Sequence, residues 1–470
     1  MRFVEKCIIS KGSPLYKLLE GRCLLSNNVY NDALYAMRQH YFLKSGRQYT
    51  DVILPEIENK TLKNGEVYKY LAATSDNYKQ LSANCAQQTV DLVCNEFKSF
   101  YSLIKKKKNG EYDAKVNPPK YRPSGDLFVV TYNKQALKWS YNSNGYIRLP
   151  NTNIIIPFEL KHYAEMTQLR LVPIYGAIEV EVIYKVDEFS LKSENGRYMA
   201  IDFGVTNLAT CVSNVMQSFI IDGRPVKTVN QSYNKIKAEE YSVLDKKVNK
   251  DKWKEINAIK YNFDISDIER KSALYPLYKE IVRTTRRLEQ VSLYRRNFIN
   301  DYFHKASSYI VNQAVENDIR TIFIGVNKGW KQEANMGKKN NQNFVSIPHM
   351  KLYKMIEYKA NKVGIKVVMI EESYTSKASF LDNDYIPTYG KEPAEFSFSG
   401  YRVGRGLYKL KGRNVYINAD VNGAFNILRK GLNADAEAVM PSRRGFVFNP
   451  VRVNLFSLQA KKSIKGVNRF

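Results

Sequence analysis

Asp202 closes an apolar run, Tyr198-Met-Ala-Ile-Asp-Phe-Gly-Val-Thr-Asn-Leu-Ala-Thr210. Asp420 opens a helix-like stretch, Ile417-Asn-Ala-Asp-Val-Asn-Gly-Ala-Phe-Asn-Ile-Leu428. A carboxylate at the end of a buried strand is costly unless something compensates its charge, and a divalent cation is the usual partner. Two such carboxylates and a third would hold two Mg²⁺ ions about 4 Å apart, an arrangement that activates water and stabilises the leaving oxygen in phosphodiester cleavage. Gly204 would let the backbone turn tightly beside a scissile phosphate. Taken alone, Asp202 could start a turn and Asp420 could cap a helix.

The elements that would carry these residues follow from periodicity. Residues 1–10 read as a strand. Val29, Ala33, Met37 and Tyr41 recur every four residues, which predicts a helix over 24–43 with Ser26 and Asn27 as cap candidates. A second helix over about 82–104 shows Ala86, Val90, Val93, Phe97, Phe100 and Ile104 on one face and ends in Lys105-Lys-Lys-Lys-Asn-Gly110. Short strands are expected at 127–132, 137–141, 146–149 and 154–158. In 177–186, Ile178, Val180, Val182 and Tyr184 alternate with Glu179, Glu181 and Lys185. These strands suggest a small β-barrel, with the helical block inserted between its first and second strands. After a polar linker over 187–197, strands are expected at 198–203, 209–213, 217–221, 319–326 and 365–371. A long helical stretch, 265–317, carries Arg283, Arg286, Arg287, Arg295 and Arg296, then a buried stripe of Ile299, Phe303, Ala306, Ile310 and Ala314. The fold class expected is therefore mixed α/β and multidomain, with an RNase H-like sheet in the C-terminal half.

Composition narrows the partner. The 470 residues suffice for two to four domains, and 44% apolar with 13% aromatic content supports a packed core. Lys and Arg outnumber Asp and Glu by 73 to 46, a formal charge of +27, which points to a polyanion; the 34 tyrosines offer stacking surfaces for bases. Cys7, Cys23, Cys85, Cys94 and Cys211 form no Cys-x-x-Cys pair, which excludes a cysteine zinc ribbon and suits a reducing compartment. The first residues lack the apolar core of a signal peptide, and no stretch reaches the ~18 apolar residues of a membrane span. A cytoplasmic location and no membrane partner are expected.

Ile201-Asp-Phe-Gly-Val-Thr-Asn-Leu-Ala-Thr210, Phe219-Ile-Ile-Asp-Gly-Arg-Pro-Val-Lys227 and Asn418-Ala-Asp-Val-Asn-Gly-Ala-Phe-Asn-Ile427 resemble the RuvC motifs of TnpB, the RNA-guided DNA nucleases of insertion sequences and relatives of type V CRISPR effectors. The resemblance implies a guide RNA, a double-stranded DNA target beside a short flanking motif, and Mg²⁺ held by a carboxylate triad. It also implies a wedge β-barrel over 1–20 and 106–187, a helical recognition insert over 21–105, a nuclease domain over 188–440 and a basic tail over 441–470. The motifs are specific in the C-terminal half and weak before residue 190.

Two departures from the family are visible. TnpB proteins usually carry a glutamate at the end of the strand in Thr321-Ile-Phe-Ile-Gly-Val-Asn-Lys-Gly-Trp330, where this chain has Gly325 and Val326. The next strand ends in Glu371 and Glu372, which strand alternation turns to opposite faces. The resemblance to a subset with a relocated glutamate, shared with Fanzor, selects Glu372, with Glu371 the alternate. The triad expected is Asp202, Glu372 and Asp420. Second, TnpB proteins usually follow Thr-Ser-Lys with two Cys-x-x-Cys pairs that bind zinc. Here Ser379 and Asp382 stand at the first pair, so 378–415 is a degenerate ribbon expected to hold no zinc and to rely on ordinary packing. Contacts to nucleic acid are expected from Arg283, Arg286, Arg287, Lys328, Lys331, Lys338 and Lys339, and from the tail, with Arg443, Arg444, Arg452, Lys461, Lys462, Lys465 and Arg469, as an RNA-contacting or disordered extension. Rival readings are a nuclease-impaired RNA-guided repressor, a transposase proper and a type V effector.

Overall fold

A computed structural model of the chain describes residues 2–44, 62–137, 141–142, 145–158, 165–187, 189–262, 264–326, 347–393, 395–404, 406–441, 443 and 445–456. Internal contacts divide it into two compact units: Met1–Glu188 with Glu240–Leu293, and Phe189–Glu239 with Tyr294–Phe470.

In the first unit, β1 (Arg2–Ser10) is followed by the helices Pro14–Lys44, Asn64–Thr74, Asp76–Gln80 and Ala83–Lys108. The strands β2 (Val130–Asn133), β3 (Tyr141–Asn142), β4 (Tyr146–Arg148), β5 (Ile155–Pro157), β6 (Glu165–Ile174) and β7 (Ala177–Lys185) come next. They make two separate ladders, β1-β7-β6-β2 and β3-β4-β5, and no pairing among the described residues closes them into a barrel. The helices do lie between the first and second strands, as expected. The first helix begins twelve residues before Ser26. The start signal is Ser13-Pro14: Pro suits the first helical position, and the Ser13 hydroxyl accepts from Leu15 N at 3.3 Å. Ser26 and Asn27 are not caps. Both are buried in mid-helix and reach other segments, Ser26 Oγ donating to the Val129 carbonyl at 2.8 Å and Asn27 Nδ2 to that of Pro123 at 3.0 Å. Of the strand expected at 137–141, Leu137 belongs instead to the helical turn Lys134–Leu137, closed by Asn133 Oδ1 accepting from Gln135 and Ala136 N; Tyr141 begins β3, and 138–140 lie outside the described residues.

Glu179 and Glu181, which alternate with Ile178, Val180 and Val182, are buried too, because β7 lies inside its sheet. Their charge is matched by Lys6 at 2.9 and 2.6 Å, and Arg170 adds a 2.6 Å pair to Glu181. Glu240–Leu293 groups with this unit, whereas the sequence reading kept 188–440 in one block. Glu240 accepts from Thr285 and Arg287, and Asn249 exchanges hydrogen bonds with Val282.

The second unit is built on a six-stranded mixed sheet. Its strands are β8 (Tyr198–Phe203), β9 (Asn207–Ser213), β10 (Phe219–Asp222), β11 (Thr321–Gly325), β12 (Lys366–Ile370) and β16 (Val451–Val453), in the order β12-β11-β8-β9-β10-β16. β8, β9 and β10 run antiparallel to their neighbours in turn; β11 pairs in parallel with both β8 and β12. A small sheet of β13 (Gly400–Gly404), β14 (Leu407–Leu410) and β15 (Tyr416–Asn418) leads into the helix Ala419–Leu432. Strand alternation separates two cores. Met199, Ile201 and Ile322 face the helix stripe Ile299, Phe303, Ala306, Ile310 and Ala314 together with the helix His349–Lys362. Ala200 and Phe323 face the helix Ala419–Leu432. The expected helical stretch 265–317 is two helices, Asp267–Glu280 and Arg286–Glu316; the second is capped by Thr285, whose Oγ1 accepts from Leu288 N at 3.1 Å. The chain beyond 441 is not all an extension. β16 lies parallel to β10, Arg452 approaches Asp222 at 3.9 Å, and the Arg443 guanidinium sits 5.8 Å from the Phe446 ring centre.

Candidate active site

Asp202 shares the strand face of Ala200 and so points toward the helix Ala419–Leu432. The turn after it is held by Gly204 N donating to the Leu208 carbonyl at 3.3 Å, with the buried His349 ring stacked on Phe203 and its Nε2 3.1 Å from the Gly204 carbonyl. An ideal Cβ at Gly423, in the first turns of that helix, would lie 3.0 Å from Asp202 Oδ2, so strand and helix meet there without an intervening side chain.

Asp420 enters on the first turn of the same helix. Its N-cap is Asn418, whose Oδ1 accepts from the backbone N–H groups of Asp420 and Val421 at 3.0 and 3.1 Å; Asp420 itself is not the cap. The Asp420 carboxylate accepts from Asn207 Nδ2 at 2.6 Å and from Arg402 Nη2 at 2.8 Å.

Glu372 follows β12 and is brought in by the loop behind it. Asn422 and Asn426, one helical turn apart and fully buried, bolt that loop to the helix. Asn422 Nδ2 donates to Ala378 O at 2.7 Å and Asn426 Nδ2 to Thr375 O at 2.9 Å, while Asn422 Oδ1 accepts from Phe380 N at 2.9 Å. The motif Asp-Val-Asn-Gly-Ala-Phe-Asn therefore both supplies Asp420 and positions Glu372. Glu371 is turned to a different task. It pairs with Lys430 and accepts from Ser373 N at 2.8 Å. Burial pushes the Glu371 carboxyl up, but these hydrogen bonds outweigh it and hold the group below the usual range.

The electrostatics tie Asp202, Glu372 and Asp420 together. Burial, then the charges of Glu372 and Asp420, push Asp202 well above the ordinary carboxylate range, with only Arg402 opposing. Burial and the Glu371 charge push Glu372 up to about 7, against Lys430. Repulsion of the kind Asp202 meets from Glu372 and Asp420 is what a bound cation relieves, and an all-oxygen set suits a hard one such as Mg²⁺. Among the described residues no three acidic, histidine or cysteine side chains already converge on one ion position. Asp420 is instead drawn to Arg402 and Asn207.

Of the basic residues singled out, Arg283 lies 3.8 Å from Asp126 and Arg287 3.2 Å from Glu240; Arg286 is exposed. Lys328, Lys331, Lys338 and Lys339 lie outside the described residues, as do Arg444, Lys461, Lys462, Lys465 and Arg469. Sequence reasoning missed Arg402, which only the β13–β15 sheet brings to Asp420.

Ser379 and Asp382 stand in a hydrogen-bonded knot, not in ordinary packing alone. Asp382 Oδ2 accepts from Ser379 Oγ at 3.0 Å and Ser399 Oγ at 2.8 Å, and Asp384 Oδ2 accepts from the N–H groups of Ser379 and Ser399 at 2.7 and 3.0 Å. Arg413 completes it, 3.3 Å from Asp382.

The chain is similar to several known proteins. Residues 177–331 match the OrfB_IS605 family, described as a probable transposase, and residues 349–427 match the Cas12f1-like TNB domain. The TnpB-like protein ORF457 of Acidianus two-tailed virus is 23% identical over 440 residues, covering 87% of this chain and 82% of that protein. The CRISPR-associated endodeoxyribonuclease Cas12f1 of Sulfoacidibacillus thermotolerans is 29% identical over 140 residues, 30% of this chain and 29% of that protein. Among solved structures, a Cas12f1–sgRNA–target DNA complex aligns with a TM-score of 0.44 at 13% identity, over 87% of this chain and 82% of that one. The mini-RNA-guided endonuclease CRISPR-Cas_phi3 aligns at 0.42 and 12%, over 92% of each. The two family models and these relatives together support a TnpB-type protein.

Proposed function

We propose that this protein is an RNA-guided DNA endonuclease of an insertion sequence, cutting beside a short flanking motif. The observation that carries the reading is that Glu372 and Asp420, from two distant segments, lie close enough to the buried Asp202 for their charges to raise its proton affinity. Similarity to a TnpB-like protein and to Cas12f1 supports the same reading.

Asp202, Glu372 and Asp420 would hold Mg²⁺. Bound Mg²⁺ would supply an activated water and charge stabilisation at the leaving oxygen. The chain's own residues do the rest. Asn418 fixes the turn that presents Asp420, and Asn422 and Asn426 fix the loop that presents Glu372. Glu372 and Asp202 retain protons more readily than free carboxylic acids. Arg402 and Asn207 hold Asp420 in the absence of a cation. Arg283, Arg286 and Arg287, with the net charge of +27, would hold guide RNA and target DNA by their phosphates. The helical insert and strands of the first unit would read the flanking motif. Without thiolates, 378–415 would stay zinc-free.

The test is Mg²⁺-dependent cleavage of a matched DNA target by protein carrying its co-purified RNA, after that RNA has been sequenced. Glu372→Gln should lower cleavage by at least about a thousandfold with RNA binding intact; full activity in that variant would rule the assignment out. A second reading, an RNA-guided binder with an impaired nuclease, is favoured by the absence of a converged ligand set among the described residues. Guide-dependent binding with no cleavage by the wild type would select it.

A further inference from the structure

Gly325 carries no side chain at the one strand position between Asp202 and Glu372, and we propose that this absence is what seats Glu372: Gly325 is a positioning residue for the carboxylate site. What the site does rests on the nuclease reading above; the seat itself is a matter of packing. β11 pairs with β8 as far as Ile324↔Ile201, and with β12 as far as Gly325↔Ile370. Position 325 thus lies beside Asp202 on one side and just before Glu372 on the other. Val326 N donates to the Ile370 carbonyl at 2.8 Å, holding the two strands together past the ladder. By alternation position 325 shares the face of Phe323, which packs against the helix Ala419–Leu432.

An ideal Cβ at Gly325 would lie 2.5 Å from Ile427 Cδ1 and 2.8 Å from Glu372 Oε2. Both distances are well inside van der Waals contact. The glycine is not there for its backbone freedom, since its φ is not positive. It is there for space. The Glu372 carboxylate occupies the volume that any side chain from position 325 would need, and Ile427 closes the other side. Glu372 must come from the next strand, and it reaches the site by lying across a strand position left empty for it.

Because Gly325→Ala presses on both neighbours, the test separates them. Ile427→Val removes the Cδ1 atom and so the closer clash. In the pair Gly325→Ala/Ile427→Val the Cγ atom that valine keeps stays at 3.2 Å, a contact that a few tenths of an ångström relieve, and the contender left inside 3.0 Å is Glu372. A crystal structure of that pair should show the Glu372 carboxylate displaced by about 1 Å or more. Guide-dependent cleavage should fall about a hundredfold relative to Ile427→Val, with nucleic-acid affinity unchanged. Adding Glu372→Ala should recover the melting temperature that Gly325→Ala costs. A Glu372 carboxylate left in place, cleavage at the Ile427→Val level, or no recovery of melting temperature would each overturn the proposal. If the wild type cleaves no guided target, the nuclease reading fails, while the displacement and the melting temperatures still decide the role of Gly325.

Discussion

Asp202 and Asp222 both stand at the ends of buried strands in one sheet, and their charges are handled in opposite ways. Asp222 is met by Arg224, whose Nε and Nη2 reach its oxygens at 2.9 and 2.7 Å. Burial pushes the Asp222 carboxyl up, but Arg224 outweighs it and the group stays below the usual range. Asp202 has only Arg402 working in its favour, against Glu372, Asp420 and its own burial. An uncompensated acid of this kind is a functional candidate, and a compensated one is structural. The same contrast separates the two adjacent glutamates. Glu371 has Lys430 and Ser373 N; Glu372 has the empty seat at Gly325. Glu371→Gln should therefore keep cleavage within about threefold of wild type, since it removes no group from the carboxylate site. A loss as large as that of Glu372→Gln, in the same cleavage assay, would transfer the role to Glu371. Strand alternation in the sequence already required the pair to diverge. It could not say which of them meets Asp202, because that depends on a lysine 59 residues away and a glycine on another strand.

At the scale of elements, the helix Ala419–Leu432 does three things at once. It presents Asp420, bolts down the Glu372 loop through Asn422 and Asn426, and packs its apolar face on the sheet. The sequence showed the helix start and Asp420. It gave no sign that the two asparagines bind a loop, since their partners are backbone carbonyls some 44 to 51 residues away. The helices Arg286–Glu316 and His349–Lys362 are joined by a half-buried lysine. Lys359 Nζ donates to the His304 carbonyl, Ser307 Oγ and Ser308 Oγ, each at 2.8 Å. Burial lowers Lys359 from 10.5 to about 8. The folded state therefore releases this proton before the unfolded chain does. The penalty of burying the ammonium is fully present below about 8 and fades as the pH rises toward 10.5, so stability gains with rising pH across that window. Lys359→Met should flatten the rise, removing roughly 1–2 kcal/mol of pH-dependent stability after allowance for its partial exposure. Chemical denaturation of both proteins between pH 8 and 10.5 measures it, and parallel pH curves would refute it.

For the whole molecule, the knot of Ser379, Asp382, Asp384, Ser399 and Arg413 stands where relatives of this type were expected to have thiolates. It ties the loop after Glu372 to Ser399, next to the strand that carries Arg402. Asp384→Asn should lower the melting temperature by roughly 2–8 °C, on the order of 1–2 kcal/mol, whereas a zinc chelator should leave it unchanged. About one equivalent of zinc in the purified protein, or a chelator-sensitive melting curve, would defeat this account. The sequence by itself determined five of the six strands of the mixed sheet, all but β16, the acids at their ends, the helix that carries Asp420 and the charge that asks for a polyanion. These are local or additive properties: periodicity of two or 3.6 residues, end signals and a sum of charges. It misplaced the start of the first helix and took Ser26 and Asn27 for caps, where contacts to Val129 and Pro123, distant in sequence, override local pattern. Only the tertiary structure decided that Glu372 meets Asp202, that Arg402 holds Asp420 and that Gly325 leaves the space between. Each of those depends on register and packing between segments far apart in the chain, and nothing local encodes them.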